Sequence, residues 1–160
     1  MHRKGSTGHA LHGVLLLLLA ACSDSGSGEL AVLAPDCSRD VAGPDANRNG
    51  VRDDIEGWIF DRQVTDSQRK ALMQKARALQ MTLLIDPRDK AALDHGSDQL
   101  MAAAKCGGDT FFPRAEFYRF SGQIEAMTAN TRERAARYRQ FSTAASGSSM
   151  SFPEGDTCEP

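Results

Sequence analysis

Asp45, Asn47, Asn49, Asp53 and Glu56 stand at positions 1, 3, 5, 9 and 12 of the run Asp45–Glu56. Each carries a side-chain oxygen. Val51, at position 7, offers its backbone carbonyl, and Gly50, at position 6, permits the sharp turn that gathers these oxygens around one point. Oxygen donors at this spacing suit a hard divalent cation that tolerates a flexible shell, which is calcium. Asparagine at positions 3 and 5 leaves three charged ligands, Asp45, Asp53 and Glu56. Fewer charges weaken such a site, so the expected dissociation constant is about 10⁻⁴ to 10⁻³ M. Asn, Asp and Gly also build turns, so a metal-free turn that caps a helix is the competing reading.

Other chemistry is sparse. The sequence contains no Cys-x-x-Cys, no Gly-x-Ser-x-Gly and no glycine-rich phosphate loop. His95 is the only histidine outside the first twelve residues, and one imidazole does not make a multi-histidine metal site. Beside Asp94 on a helical stretch, it reads as a solvated residue. The adjacent carboxylates Asp53 and Asp54 are the nearest approach to an acid/base pair.

The run Asp45–Glu56 resembles the solitary EF-hand-like loops of many secreted bacterial proteins. The resemblance covers about a dozen residues. It implies an ion that braces a fold rather than a sensor, because sensors pair two loops. The preceding stretch, Ala34–Pro44, reads as coil, so only the exiting half of the motif is present.

That exiting half must be a helix. Asp53, Asp54 and Glu56 lie in its first turn, where the helix dipole favours carboxylates. Ile55, Trp58 and Ile59 recur at helical spacing and face a core. A second helix starts at Thr65 or Asp66 and carries Leu72, Ala76, Leu79 and Leu83 as its apolar stripe. Asp86 is the expected cap of a third helix, over 88–105, with Ala92, Leu93, Leu100, Met101 and Ala104 inward and Gly96 weakening its middle by about 1 kcal/mol. The Cys106-Gly107-Gly108-Asp109 run reads as its stop. Phe111-Phe112-Pro113 leads into a fourth helix bearing Phe117, Phe120, Ile124 and Met127. Asn130 and Glu133 form an expected capping box for a fifth helix, over 131–144, with Ala135, Tyr138 and Phe141 inward and Arg132, Arg134, Arg137 and Arg139 on its outer face. Such an arginine run is ordinarily a solvated face, though it can meet anionic headgroups or an acidic partner. The expected fold is mainly α: a bundle of four to five helices with the calcium loop before the first.

Upstream lies a targeting pattern. His2, Arg3 and Lys4 form a basic start, Val14–Leu19 a short apolar run, and Ala20 and Ala21 a small-residue end. The run is too short to span a bilayer and has the order of a signal peptide, residues 1–21. Leu19-Ala20-Ala21-Cys22 resembles a bacterial lipobox. The resemblance implies cleavage before Cys22, diacylglycerol on its thiol and a further acyl (palmitate-type) chain on its amine. Multiple chains anchor stably where one does not. By resemblance to enterobacterial lipoproteins, Ser23 implies the outer membrane, facing the periplasm; Asp24 leaves the inner membrane open. Residues 22–44 then form the lipidated cysteine and a tether rich in Ser and Gly. The formal charge of the whole chain is −2, and loss of Arg3 and Lys4 makes it more negative. Nucleic acid is not an expected partner.

In an oxidising envelope, Cys37, Cys106 and Cys158 remain after lipidation of Cys22. Three pairings are open. Cys106–Cys158 is favoured because it would pin the 146–160 tail, with Cys37 then free or paired between chains. Cys37–Cys106 is the runner-up. A cross-link closing a loop of about fifty residues adds on the order of 4 kcal/mol under the chain-entropy model. The expected protein is an exported, calcium-binding lipoprotein with a non-enzymatic binding or scaffold task and an unknown envelope partner. A small hydrolase of cell-wall polymer, using Asp54 or its neighbours, is the alternative. A partner-binding module is a third reading, which exposed Phe111 and Phe112 would favour.

Overall fold

A computed structural model describes residues 34–147 and 151–160. The expected signal peptide, the lipidation site Cys22 and the start of the tether lie outside the described residues. Five helices follow the coil of residues 34–52: α1 (Asp53–Phe60), α2 (Asp66–Leu84), α3 (Lys90–Thr110), α4 (Arg114–Thr128) and α5 (Arg132–Ala145). They are the only regular elements among the described residues. None of them is long and apolar enough to cross a membrane.

Helix α2 is the axis of the bundle and packs against each of the other four. Its apolar stripe is the expected one, with Leu72, Ala76, Leu79 and Leu83 all buried. Thr65 opens it with a complete capping box: its hydroxyl accepts from the Gln68 N–H while the Gln68 side chain accepts from the Thr65 N–H. The core joins Val51, Ile55 and Ile59 to Leu72 and Leu79, and to Phe111, Phe117, Phe120 and Ile124 across the bundle. Trp58 packs edge-on against Phe120, with centroids 6.0 Å apart. It is a core residue, with Arg62 stacked over its outer side.

Several boundaries differ from expectation, each for a local reason. Helix α3 runs through Cys106-Gly107-Gly108 to Thr110. A Cβ on Gly107 would lie 2.0 Å from the Phe117 ring. The missing side chain therefore admits that ring against the backbone, and packing outweighs the poor helix propensity of glycine. Gly96 is buried for the same kind of reason, since a Cβ there would stand 2.6 Å from Ile85 Cδ1 and 3.2 Å from the Phe141 ring. Asp89, not Asp86, caps α3 through the Ala92 N–H; Asp86 accepts instead from the Arg88 N–H in the preceding turn. Thr131, not Asn130, caps α5 through the Arg134 N–H.

The tail is pinned as expected. Cys106 and Cys158 form a disulfide that spans 52 residues. The tail is therefore fastened to the last turns of α3 rather than to a turn between helices. Thr157 adds a hydroxyl bond to the Ala102 carbonyl, and buried Gln74 of α2 donates to the Thr157 carbonyl and accepts from the Glu159 N–H. Cys37 is also disulfide-bonded and is not the free thiol that was one of its two expected fates.

Candidate functional site

The Asp45–Glu56 loop closes on itself through side chains. Asp45 accepts from the Asn49 and Gly50 N–H groups at 3.1 and 2.9 Å. Asn47 accepts from the Asn49 N–H at 3.1 Å, and Asn49 from the Val51 N–H at 2.9 Å. These nested Asx turns wind the chain tightly enough to place Arg48 and Gly50 at positive φ, 57° and 81°. Asp53 reaches back to the Ala46 N–H at 3.0 Å. Glu56, one turn into α1, closes the ring: its two oxygens accept from the Asn47 and Asn49 side-chain amides at 2.9 and 2.8 Å.

The sequence-derived residues Asp45, Asn47, Asn49 and Glu56 thus meet through these bonds. Asp53 lies at the rim of the loop. Val51 buries its side chain completely in the core, which fixes the backbone of position 7. Among the described residues, no three His, Cys, Asp or Glu side chains are arranged to hold a metal ion. Any cation here would therefore depend on amide and main-chain oxygens. The donor set suits a hard cation chemically, with one requirement. The Asn47 and Asn49 amides direct N–H groups at Glu56, and both must turn before oxygen replaces nitrogen around an ion.

The loop is anchored from behind by charges that the spacing rule does not include. Arg52 is 1% exposed and grips Asp54 with two bonds, of 2.5 and 2.9 Å, while also donating to the Met127 carbonyl of α4. Asp54 takes a further bond from the Asp36 N–H. Arg134 of α5 is 0% exposed and donates to the Asp36 carboxylate at 2.5 Å and to the carbonyls of Asp36, Asp40 and Val41. Burial pulls the Asp36 carboxyl upward, but the Ser38 N–H, Arg134 and the Ser38 hydroxyl together hold it below the usual carboxylate range. Gly43 turns at φ 70° through the middle of this cluster; a Cβ there would lie 2.4 Å from Arg52 Cδ and 2.9 Å from Arg134 Nη2.

One expectation fails at this cluster. Arg134 is not on a solvated face, so the outer arginine stripe of α5 is broken. Arg137 is half-buried and donates to the Leu83 carbonyl, leaving Arg132 and Arg139 exposed. The signal was present in the sequence, because Arg134, Tyr138 and Phe141 fall at i, i+4 and i+7, the buried stripe of α5. Asp54, offered as a catalytic carboxylate, has both oxygens engaged. Phe111 and Phe112 also part company: Phe111 is buried, whereas Phe112 is 95% exposed.

A second polar cluster links α2, α4 and α5. Tyr138 donates to Glu125 at 3.0 Å, and burial together with that carboxylate pushes its hydroxyl up to about 12. Burial lowers the Lys75 ammonium, and the Glu125 charge opposes that shift.

Two concave regions adjoin the loop and α5. A cleft of about 640 Å³ runs from Asp45 and Gly50 to the α2–α3 turn, walled by Met81, Leu84, Ile85 and Ala92. Its carboxylates are engaged locally: Asp45 in the loop turns, Asp86 by the Arg88 N–H and Asp89 by the Ala92 N–H. Two residues that line it each keep one buried polar atom without a partner among the described residues, Arg52 Nη1 and Gln80 Oε1. An open groove of about 910 Å³ between the α2–α3 turn and α5 presents Arg88, Arg137 and Arg139. No protein-family model, no curated protein and no solved structure matches this chain.

Proposed function

We propose that this protein is an exported, lipid-anchored calcium-binding protein of the bacterial envelope with a binding or scaffold task rather than a catalytic one. The observation that carries the ion reading is the return of Glu56 to Asn47 and Asn49. It brings the last ligand of an EF-hand-like loop to the third and fifth, on a loop whose first residue already holds the turn. Asp45, Asn47, Asn49, the Val51 carbonyl, Asp53 and Glu56 would hold the ion. When bound, calcium would supply a fixed charge that replaces the amide bonds to Glu56 and orients α1, whose Ile55 and Ile59 nucleate the core.

A thermal melt in millimolar calcium against excess chelator tests this. Ligand at 100 times its dissociation constant adds about 2.7 kcal/mol, a shift of several degrees in a domain of this size. Stabilisation specific to calcium over magnesium is expected. An unchanged midpoint would leave Asp45–Glu56 as a metal-free turn.

The anchor reading rests on the lipobox at Cys22, and the favoured place is the outer membrane, facing the periplasm. Its test is the intact mass of the protein extracted from bacterial membranes. An added mass of diacylglycerol and an acyl chain on a chain starting at Cys22 is expected. The same measurement reports whether that sulfur lies in a thioether or in a disulfide. A Cys22→Ser variant should be lost from the membrane fraction.

The hydrolase alternative gains one observation, the cleft beside the loop. Its three carboxylates are tied to backbone donors, and the described residues that line it include no Ser, Thr, Cys, His or Tyr. Release of soluble fragments from purified cell wall, abolished by Asp86→Asn or Asp89→Asn, would establish that reading over the scaffold one.

A further inference from the structure

Arg77 of α2 stands between the loop and the tail. Its Nε donates to the Asn49 carbonyl at 2.8 Å. Its Nη1 pairs with the Glu159 carboxylate. Its methylenes run beneath Gly50, where a Cβ would lie 3.1 Å from Arg77 Cγ. One guanidinium therefore touches position 5 of the loop and the residue next to Cys158. Glu159 has no helix of its own. It is held there by the Cys106–Cys158 bond, by Thr157 on Ala102 and by Gln74.

We propose that the Cys106–Cys158 disulfide sets the calcium affinity of the loop, by keeping Glu159 on Arg77. The inference rests on the calcium reading above. Arg77 brings positive charge to the edge of a cation site. Glu159 neutralises it, so a cation can enter beside an uncharged pair. Freed of Glu159, the guanidinium repels calcium and is available to the loop carboxylates as a competing partner. Both effects weaken calcium binding.

The switch is open to chemistry from one side. Cys158 is exposed while Cys106 is buried. A small cavity of about 290 Å³, lined by Ser67, Lys70, Gln74 and Thr110, adjoins the bond. A dithiol reductant would attack Cys158 Sγ as its thiolate and expel Cys106 as a thiol. Its second thiol would then displace Cys158, leaving the reductant as a disulfide and both cysteines protonated. The Thr110 hydroxyl beside the bond donates to the Cys106 carbonyl at 2.7 Å, so it braces the turn that carries Cys106 rather than either sulfur.

The test is calcium titration by calorimetry of the full protein in detergent. It compares wild type, Glu159→Gln, the Cys106→Ser/Cys158→Ser pair, and each of these changes combined with Arg77→Met. The serine pair stands in for reduction, because a reductant would reach every disulfide of the protein rather than this one alone. Glu159→Gln keeps the tail fastened and removes only the charge, so it reports even where the serine pair folds poorly. A loss of affinity of about five-fold is expected for both, at the lower end of ordinary coupling between sites. Arg77→Met should abolish the difference. Calcium binding with equal affinity in wild type and Glu159→Gln would overturn the proposal and leave the ion site standing. Absence of calcium binding in wild type would remove the ion site itself, and the proposal with it.

Discussion

Asn47 and Asn49 do something that aspartates at those positions would not. Each lends an N–H to Glu56, so the loop is closed by neutral donors. Aspartates there would crowd Glu56 with like charge. Asn47→Asp and Asn49→Asp are therefore expected to tighten calcium binding, as ligand charge rises, and to destabilise the calcium-free loop. Calorimetric titration and a melt in chelator should move in these opposite senses. At the buried pair, Arg134→Met leaves the Asp36 carboxylate without its counter-ion. A loss of about 3 to 5 kcal/mol is expected in urea unfolding. Arg134→Lys should restore little, because an ammonium does not reach three carbonyls and a carboxylate in one plane. Because the folded Asp36 carboxyl is held below the usual carboxylate range, its contribution is complete above about pH 4. It is lost as the pH falls through the folded value, so the acid limb of a wild-type stability profile should be shallower in Arg134→Met. Tyr138 behaves in the opposite sense. Its hydroxyl is raised to about 12, so the folded state holds its proton longer than the unfolded state does. The stability that this adds is full below about pH 10 and disappears as the pH climbs through the folded value. A Tyr138→Phe variant should lose the last step of the alkaline phenolate absorbance titration.

Among the elements, α3 and α5 show where residue type misleads. Two glycines and a cysteine after Lys105 have the composition of a stop, yet α3 continues because Phe117 fills the space above Gly107. Gly96→Ala should likewise destabilise. The gain in helix propensity is about 1 kcal/mol, but the new methyl meets Ile85 and Phe141, and overpacking costs about 1 to 3 kcal/mol. A net loss in denaturant midpoint is expected, and a second change of Ile85→Val should recover part of it. The stripe of α2 and the cap of that helix were legible because propensity, pattern and packing agree there. The register of Arg134 with Phe141 pointed inward, but its residue type pointed outward, because arginine is a surface residue by type. Only its partners, backbone carbonyls of a coil some ninety residues earlier in the chain, make its burial tolerable.

For the whole molecule, the five-helix bundle and the Cys106–Cys158 bond were readable from spacing and from the need of a loose tail for a fastening. The turn that leads into α1 was readable as well, since Asp, Asn and Gly at close spacing build Asx turns locally. Arg52, Asp36, Arg77 and Glu159 were not, because each acts on a residue far away in sequence or through a backbone group without side-chain identity. Cys158→Ser should reduce stability by up to about 4 kcal/mol. The Gln74 and Thr157 contacts of the tail remain in that variant, so a further Thr157→Ala change should lower the urea midpoint again.

The clamp on Asp36 also decides how the body meets tension. A pull applied to the coil at Ala34 and Pro35 is met at Asp36. There, Arg134 and Asn130 transmit it into α5 through the Asp36 carboxylate and carbonyl. The Asp45–Glu56 loop lies downstream of that grip and is shielded. Stretched from its leading end, the domain should yield by shearing coil from α5 before the loop bears load.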